Sequence, residues 1–431
     1  MYAMAVPLGA REGTDVWRIT RIILLTSLYV YPHVCFPAEK PPTPYCFPMP
    51  YFVNAYSTIR DNVPWTGRSG DPTYSRSLVE DSSTGPFLLP QPAGSEARDL
   101  QEHLNGFANY ARQQGLERAG EYNSSIHSVF HHILRVRRHY VFECDNNVDW
   151  SQFSQWGKAA NAVFFMPDGT VRDNEGRDLL DPANAQGEHP IMAPTTVQAQ
   201  ARRDRIRGRL WEEGVRISPI LPPVLSEPEI VLRRPEEVLN RAKALVAVAA
   251  VAMSVAEGET VDVASMRSSE SSFTQEETSF LDAVDRFNSF HSTDYPAELH
   301  EQAVQLRWGF VTGDMLAWVV GVTDSDPFEL IAPDPSALRA TLDAVSSPQE
   351  LSPHSLEDIC DAWEYTFSMR WFAVDQALKA NTSDYAELGK IVQPHSFHLE
   401  PVQGSILLER HRALSWLLNP NVPYEDTDLS T

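Results

Sequence analysis

Two hydrophobic rhythms divide the chain. From Pro235 onward, apolar residues return every three or four positions, the repeat of a helix with one covered face. Val238, Ala242, Leu245, Ala249 and Met253 make the first such row, and Pro235 suits the opening turn, where the missing N–H of proline is not needed. A polar, Ser-rich stretch from Glu257 to Ser272 reads as a loop. Thr274 and Glu277 then have the spacing of a capping box, each side chain satisfying a free backbone N–H of the other, ahead of Leu281, Val284 and Phe287. A helix started by Pro296 is expected to pass through Leu299, Ala303, Leu306 and Phe310 and continue into the sequence MLAWVVGV, which is apolar all round and therefore central. Asp334 followed by Pro335 repeats the cap-then-proline start. The longest row is Leu356, Ile359, Trp363, Phe367, Trp371, Val374 and Leu378, and a last helix carries Ile406, Leu407, Leu414, Leu417 and Leu418.

The first part of the chain mixes this repeat with the two-residue alternation of strands. Ile22 to Tyr31 is β-branched and aromatic enough for a buried strand, and residues 37–50 are a proline-dense connector. Leu100, Leu104, Phe107 and Ala111 predict a helix, as do Ile126, Val129, Phe130, Ile133 and Val136. His139 to Cys144 has strand composition, and Trp150, Phe153 and Trp156 share one side of a short helix. Two runs flanking Pro167-Asp168-Gly169, with a second turn at Asp173 to Gly176, predict an antiparallel hairpin. The fold class read from these patterns is α+β. An extension (residues 1–18) precedes an N-terminal mixed α/β domain with antiparallel hairpins (19–182), a junction and Pro-rich linker (183–234), and a C-terminal all-α helical domain (235–431).

Composition narrows the function. The formal net charge is -23, from 58 Asp and Glu against 35 Lys and Arg. Such a surface repels nucleic-acid phosphates and anionic membranes, and it either attracts a basic protein partner or simply keeps the protein in solution. Arg202, Arg203, Arg205, Arg207 and Arg209 run against this trend, and docking onto acidic surface of the same protein accounts for them as well as nucleic-acid contact does. No segment is read as a bilayer span, and Ile22 to Tyr31 lacks a signal-peptide cleavage site, so a cytoplasmic location is the expectation. Cys35, Cys46, Cys144 and Cys360 lack zinc-site spacing; a bridge between Cys35 and Cys46 is an option, with reduced thiols the default.

Phosphate-binding, dinucleotide-binding and nucleophile-elbow motifs are missing, and no cofactor is expected. His127 and His131, four apart on a helix, have the spacing of two metal ligands, but no third ligand is pinned and edge positions explain them. Glu409, Arg410 and His411 form the main polar cluster of the last helix. His411 falls on its apolar side, as a general base or as a satisfied core histidine. Arg370 interrupts the apolar neighbourhood of Trp371 in the same way, and a buried Arg370–Glu409 pair is expected to fix two helices together.

Several of these residues carry a family resemblance. Pro235 to Val238 with Arg241-Ala242 and Ala244-Leu245, then Glu276-Glu277 with Phe280-Leu281, stand in order along the chain. Leu306 to Phe310, or Trp318 to Gly321, follow; next come Ile359, Asp361, Tyr365, Arg370-Trp371 and Ala373; last come Glu409-Arg410-His411, Ala413-Leu414 and Trp416-Leu417. Residues 228–428 thereby resemble the bacterial domain-of-unknown-function 4272 family, and the hairpin from Asn161 to Leu180 is similar to the upstream region of its longer members. Tyr424-Glu425-Asp426 departs from the expected Trp-Asp-Asp ending, and the loop at 265–272 is longer than usual. The resemblance implies a fold and no reaction. The expectation for function is therefore a non-catalytic interaction or accessory factor; the alternative is a ligand-binding or hydrolase-like protein with a pocket near Arg370, Glu409 and His411.

Overall fold

The computed structural model describes residues 51–67, 70–79, 95–144, 149–186, 190–219, 221–288, 295–381, 397–420 and 422–430. The expected strand at Ile22 to Tyr31, the extension at 1–18, Cys35 and Cys46 lie outside the described residues.

The N-terminal unit is built on β1 (Tyr51–Ser57), β2 (Tyr74–Ser77), α1 (Ser95–Ala119), α2 (Ser124–Leu134), β3 (Arg138–Cys144), α3 (Trp150–Ala159), β4 (Ala162–Phe165) and β5 (Val171–Arg172). The five strands form one antiparallel sheet in the order β2-β3-β1-β4-β5. Alternation along the strands gives it two covered faces. Tyr56, Val163 and Val171 meet α1 and α2 on one side. Val53, Ala55, Phe142 and Phe164 meet Phe153 and Trp156 of α3 on the other. The central strand β1 was not among the predicted elements, although the alternation of Tyr51, Val53 and Ala55 directly after Pro50 is a strand signal. The hairpin turns as expected: Gly169 and Gly176 take φ of 81° and 82°, the left-handed region that disfavours a Cβ.

The short α4 (Pro182–Ala185) and the arginine-bearing α5 (Val197–Glu212) lead to the helical unit, α6 (Pro235–Glu257), α7 (Gln275–Asn288), α8 (Ala297–Leu306), α9 (Gly309–Val319), α10 (Pro335–Ala344), α11 (Leu356–Asn381) and α12 (Pro401–Leu418). The fold is thus an N-terminal mixed α/β region with antiparallel hairpins and a C-terminal helical bundle. The junction segment is folded against that bundle: Leu225, Ile230 and Leu232 are buried among α6, α9 and α12 residues.

At the centre, α6 and α9 approach closely because Gly309 and Gly313 face Leu245, Val246 and the Ala242 carbonyl; a Cβ on Gly313 would lie 2.7 Å from Val246 Cγ2. The helix expected to run unbroken from Pro296 is two helices, with the break at Arg307-Trp308, so that α9 can turn and lay these glycines on α6. Helix α6 also amends the membrane reading. An 18-residue stretch of it has a mean hydropathy of 1.6, enough by length and composition to cross a bilayer, but 67% of that stretch is buried inside the protein, as for a core helix.

The long row on α11 is helical, but its burial is shifted. Ile359, Ala362, Tyr365, Met369 and Phe372 are the buried line, whereas Trp363, Phe367 and Trp371 are half-buried and Leu378 is exposed. The reason is that α11 is clasped from two sides, by α12 and by α5. Glu364 and Ser368, polar positions on the α5 side, are drawn into the interior by Arg207.

Candidate functional site

Each sequence-derived candidate has a definite place. His127 and His131 stack on α2 with ring centroids 4.2 Å apart, and Tyr122 Oη lies 3.2 Å from His127 Nδ1. Among the described residues, no group of three or more His, Cys, Asp or Glu side chains is placed to hold a metal. Burial, then the His127 charge and Arg135, holds the His131 imidazole down at about 4, with Asp428 opposing.

The α12 cluster separates into three tasks. Glu409 accepts from Thr312 Oγ1 on α9 at 2.7 Å and pairs with Arg412 at 3.4 Å. Arg410, buried, donates to the carbonyls of Pro327 (3.0 Å) and Ile331 (3.4 Å), fastening the α9–α10 connection to α12. His411 is buried and stacked on Phe367, with no hydrogen bond at Nδ1. Burial and the neighbouring Arg370 lower its pKa to about 4, partly offset by Asp428.

The expected Arg370–Glu409 pair does not form: no ion pair joins them, and Arg370 Nε has no hydrogen-bond partner. The cause is helical phase. Arg370 acts on His411, and Glu409, two residues earlier, lies about 200° around the α12 axis, where it meets α9 instead. The field of Asp428 raises both His131 and His411 against burial, as the smallest of the influences on each.

A second polar system was only partly legible. Arg241 on α6 donates to both carboxylate oxygens of Glu277 on α7, at 2.8 and 2.6 Å, and to the Ser272 carbonyl at 2.8 Å. Its guanidinium lies 3.8 Å from the Tyr424 ring centroid. Glu277 simultaneously completes the predicted capping box with Thr274. Burial disfavours the Arg241 charge, but Glu277 and Tyr424 outweigh it and the net shift is upward. Tyr424 in turn packs edge-on against Trp416 of α12, the helix whose Glu409 accepts from Thr312. A run of polar and aromatic contacts therefore ties α6, α7, α9, α12 and the C-terminal turn together.

The family described as a domain of unknown function, DUF4272, matches residues 202–427. The chain belongs to this family. No curated protein and no solved structure matches it. The matched DUF4272 region opens inside α5, whose arginines are internal fasteners. Arg202 and Arg205 both pair with Asp361, at 3.0 and 2.7 Å, and Arg202 also pairs with Glu227. Arg207 bonds Glu364 at 3.0 Å and the carbonyls of Leu221 and Pro222. In this DUF4272 member, pieces that carried the resemblance meet in space: Arg241 bonds Glu277 and stacks on the departing Tyr424, which packs against Trp416 on the helix that carries Glu409. Of the remaining acids, Asp326 and Asp334 accept from the backbone of Phe328 and Ala337 as turn and helix caps. Cys360 is buried, and burial pushes its thiol well up, away from nucleophile character.

Sequence reasoning also missed a cluster in the N-terminal unit. Tyr56 Oη lies 2.9 Å from His103 Nε2, and His139 stacks on Tyr56 while Arg76 and Asn54 bond its ring nitrogens. These residues come from β1, β2, α1 and β3, so only the folded sheet brings them together.

Proposed function

We propose that this DUF4272 protein is a non-catalytic interaction factor whose helical unit binds a basic protein partner. The observation that carries this reading is the distribution of charge. Between Glu257 and Asp426 the chain has 29 Asp and Glu against 9 Lys and Arg. Several bases of this unit are spent internally, Arg410 on two carbonyls and Arg412 on Glu409. Glu257, Glu276, Asp285, Glu298, Glu301 and Glu357 are exposed, so the outer surface is dominated by one sign. The rival reading, a pocket at Arg370, Glu409 and His411, is less favoured, because Glu409 and Arg410 are committed to holding α9 and its following loop.

Affinity purification at rising salt tests the proposal. The expected partner is basic and elutes as ionic strength shortens the Debye length below about 5 Å. Charge reversal of the exposed pair, E298K/E301K, is expected to weaken capture at low salt. A partner retained at high salt, or captured equally by the reversed variant, refutes an electrostatic contact.

A further inference from the structure

Two neighbouring cations at the exit of α2 lack the partners that most buried arginines of the molecule have. Arg135 caps the C-terminus of α2, and Arg137 hydrogen-bonds through its backbone N–H to Ser57 at the end of β1. Arg137 is only 9% exposed. The Nε of each guanidinium is buried without an acceptor, and among the described residues neither side chain has a hydrogen bond or an ion pair. By contrast, Arg207, Arg233, Arg241 and Arg410 are fastened to carboxylates or carbonyls of distant segments.

The carboxylate whose field reaches both cations is Glu229. Its oxygens are already engaged. Thr58 and Asn161 donate to Oε1 at 2.7 and 3.2 Å, and the Ser226 N–H and hydroxyl donate to Oε2 at 2.9 and 2.7 Å. Two guanidiniums thus share one carboxylate that makes no direct bond to either. Removing a charged group from water without a partner costs several kcal/mol, so such a group normally has a counter-ion. Burial depresses Arg137 to about 10, which leaves it charged at neutral pH. His132, fully buried beside Arg135, has neither ring nitrogen in a hydrogen bond, although the carbonyls of Tyr56, Pro194 and Asn161 lie around it.

We propose that Arg135 and Arg137 form a binding site for a small oxyanion, entered from solvent past the partly exposed Arg135. The planar guanidinium offers paired N–H donors that match phosphate and carboxylate oxygens, and a bound monoanion would balance the surplus positive charge. The site lies in the N-terminal unit, outside the matched family region and distant in sequence from the acidic surface.

The probe is inorganic phosphate, titrated into the full-length protein against chloride at matched ionic strength and followed by calorimetry and thermal unfolding. Acetate in parallel separates a phosphate preference from a carboxylate preference. The expected result is saturable heat and a saturable rise in Tm, both at least about tenfold weaker in R135M and R137M. Without added anion, R137M is expected to be as stable as the wild type or more so, because it removes an unpaired buried charge. If a variant fails to fold, the wild type alone decides. Its His131 imidazole, held down beside Arg135, is expected to titrate at higher pH when phosphate is bound. No saturable heat with either anion, or equal Tm shifts in the wild type and R135M/R137M, overturns the proposal.

Discussion

The Arg241–Glu277 pair joins α6 to α7, and a double-mutant cycle measures what it contributes. Both side chains are almost fully buried and the contact is two-pronged, at 2.6 and 2.8 Å. R241M removes the cation and leaves the Glu277 carboxylate with only the Thr274 N–H. E277L removes the anion and leaves Arg241 with the Ser272 carbonyl and the Tyr424 face. Breaking one side of a buried pair typically costs about 3–5 kcal/mol. Each single variant is therefore expected to lose about 3 kcal/mol or more in urea unfolding followed by tryptophan fluorescence. E277L also loses half of the capping box, about 1 kcal/mol, but this appears in the double variant too and cancels in the cycle. The double variant R241M/E277L replaces the pair by apolar groups of similar size and is expected to lose about 3 kcal/mol, not the sum of about 6, giving a coupling of about 3 kcal/mol. Losses that add to within about 0.5 kcal/mol, with unchanged m-values, would refute the assignment of this pair as the α6–α7 fastener.

Three further outcomes follow from the packing. His411 is neutral when folded, with its pKa lowered to about 4 against about 6.5 unfolded, so its contribution is intact above pH 6.5 and is lost as pH falls toward 4, by about 3 kcal/mol; H411N should flatten this part of the stability–pH curve, and an unchanged slope counts against it. Glu364 is inaccessible to solvent and holds Arg207 and the Val224 N–H, so E364L is expected to cost about 3 kcal/mol and to expose the arginines of α5 to trypsin; cleavage no faster than in the wild type sinks this account of α5 docking. Gly321 ends α9 at φ 72°, where a Cβ would meet the Ser352 carbonyl oxygen at 2.0 Å, so G321A should lower stability by about 3 kcal/mol or more, and a shift in urea midpoint too small to resolve would contradict that geometry.

Local pattern carried the helical unit far. Rows of apolar residues located α6 and α8 to α12, and the Thr274–Glu277 box and the Asp334 cap are present as the spacing implied. What local pattern omits is the partner across space. Strand β1 takes its place from pairing with β3 and β4, which begin about 80 and 100 residues later, and seven residues of mixed polarity do not announce a sheet centre. The arginines of α5 suggest docking onto acidic groups of the same chain without naming them, because Asp361 and Glu364, which engage them, are more than 150 residues downstream. The Arg370–Glu409 pairing failed for a subtler reason. Glu409 is buried and Arg370 half-buried, but lying near a core does not set which neighbour a side chain faces. Two positions on a helix turn that direction almost completely around.

The disposition of charge sets the two proposals against one another in a testable way. With a net charge of -23 the whole molecule attracts cations and opposes the approach of anions, whichever site they are bound for. Added salt screens both effects. It should therefore weaken capture of a basic partner at the helical unit, where the attraction is the binding force. At Arg135 and Arg137 the local attraction is between buried groups and is screened less, while the long-range repulsion outside is screened fully. Phosphate affinity is then expected to rise as ionic strength increases with a bulky salt that cannot enter the site, before any competition sets in. Parallel titrations of partner and phosphate over the same salt series read both signs in one protein. If both affinities fall together, the arginines are no more than part of the general surface field, and the anion site loses its physical basis.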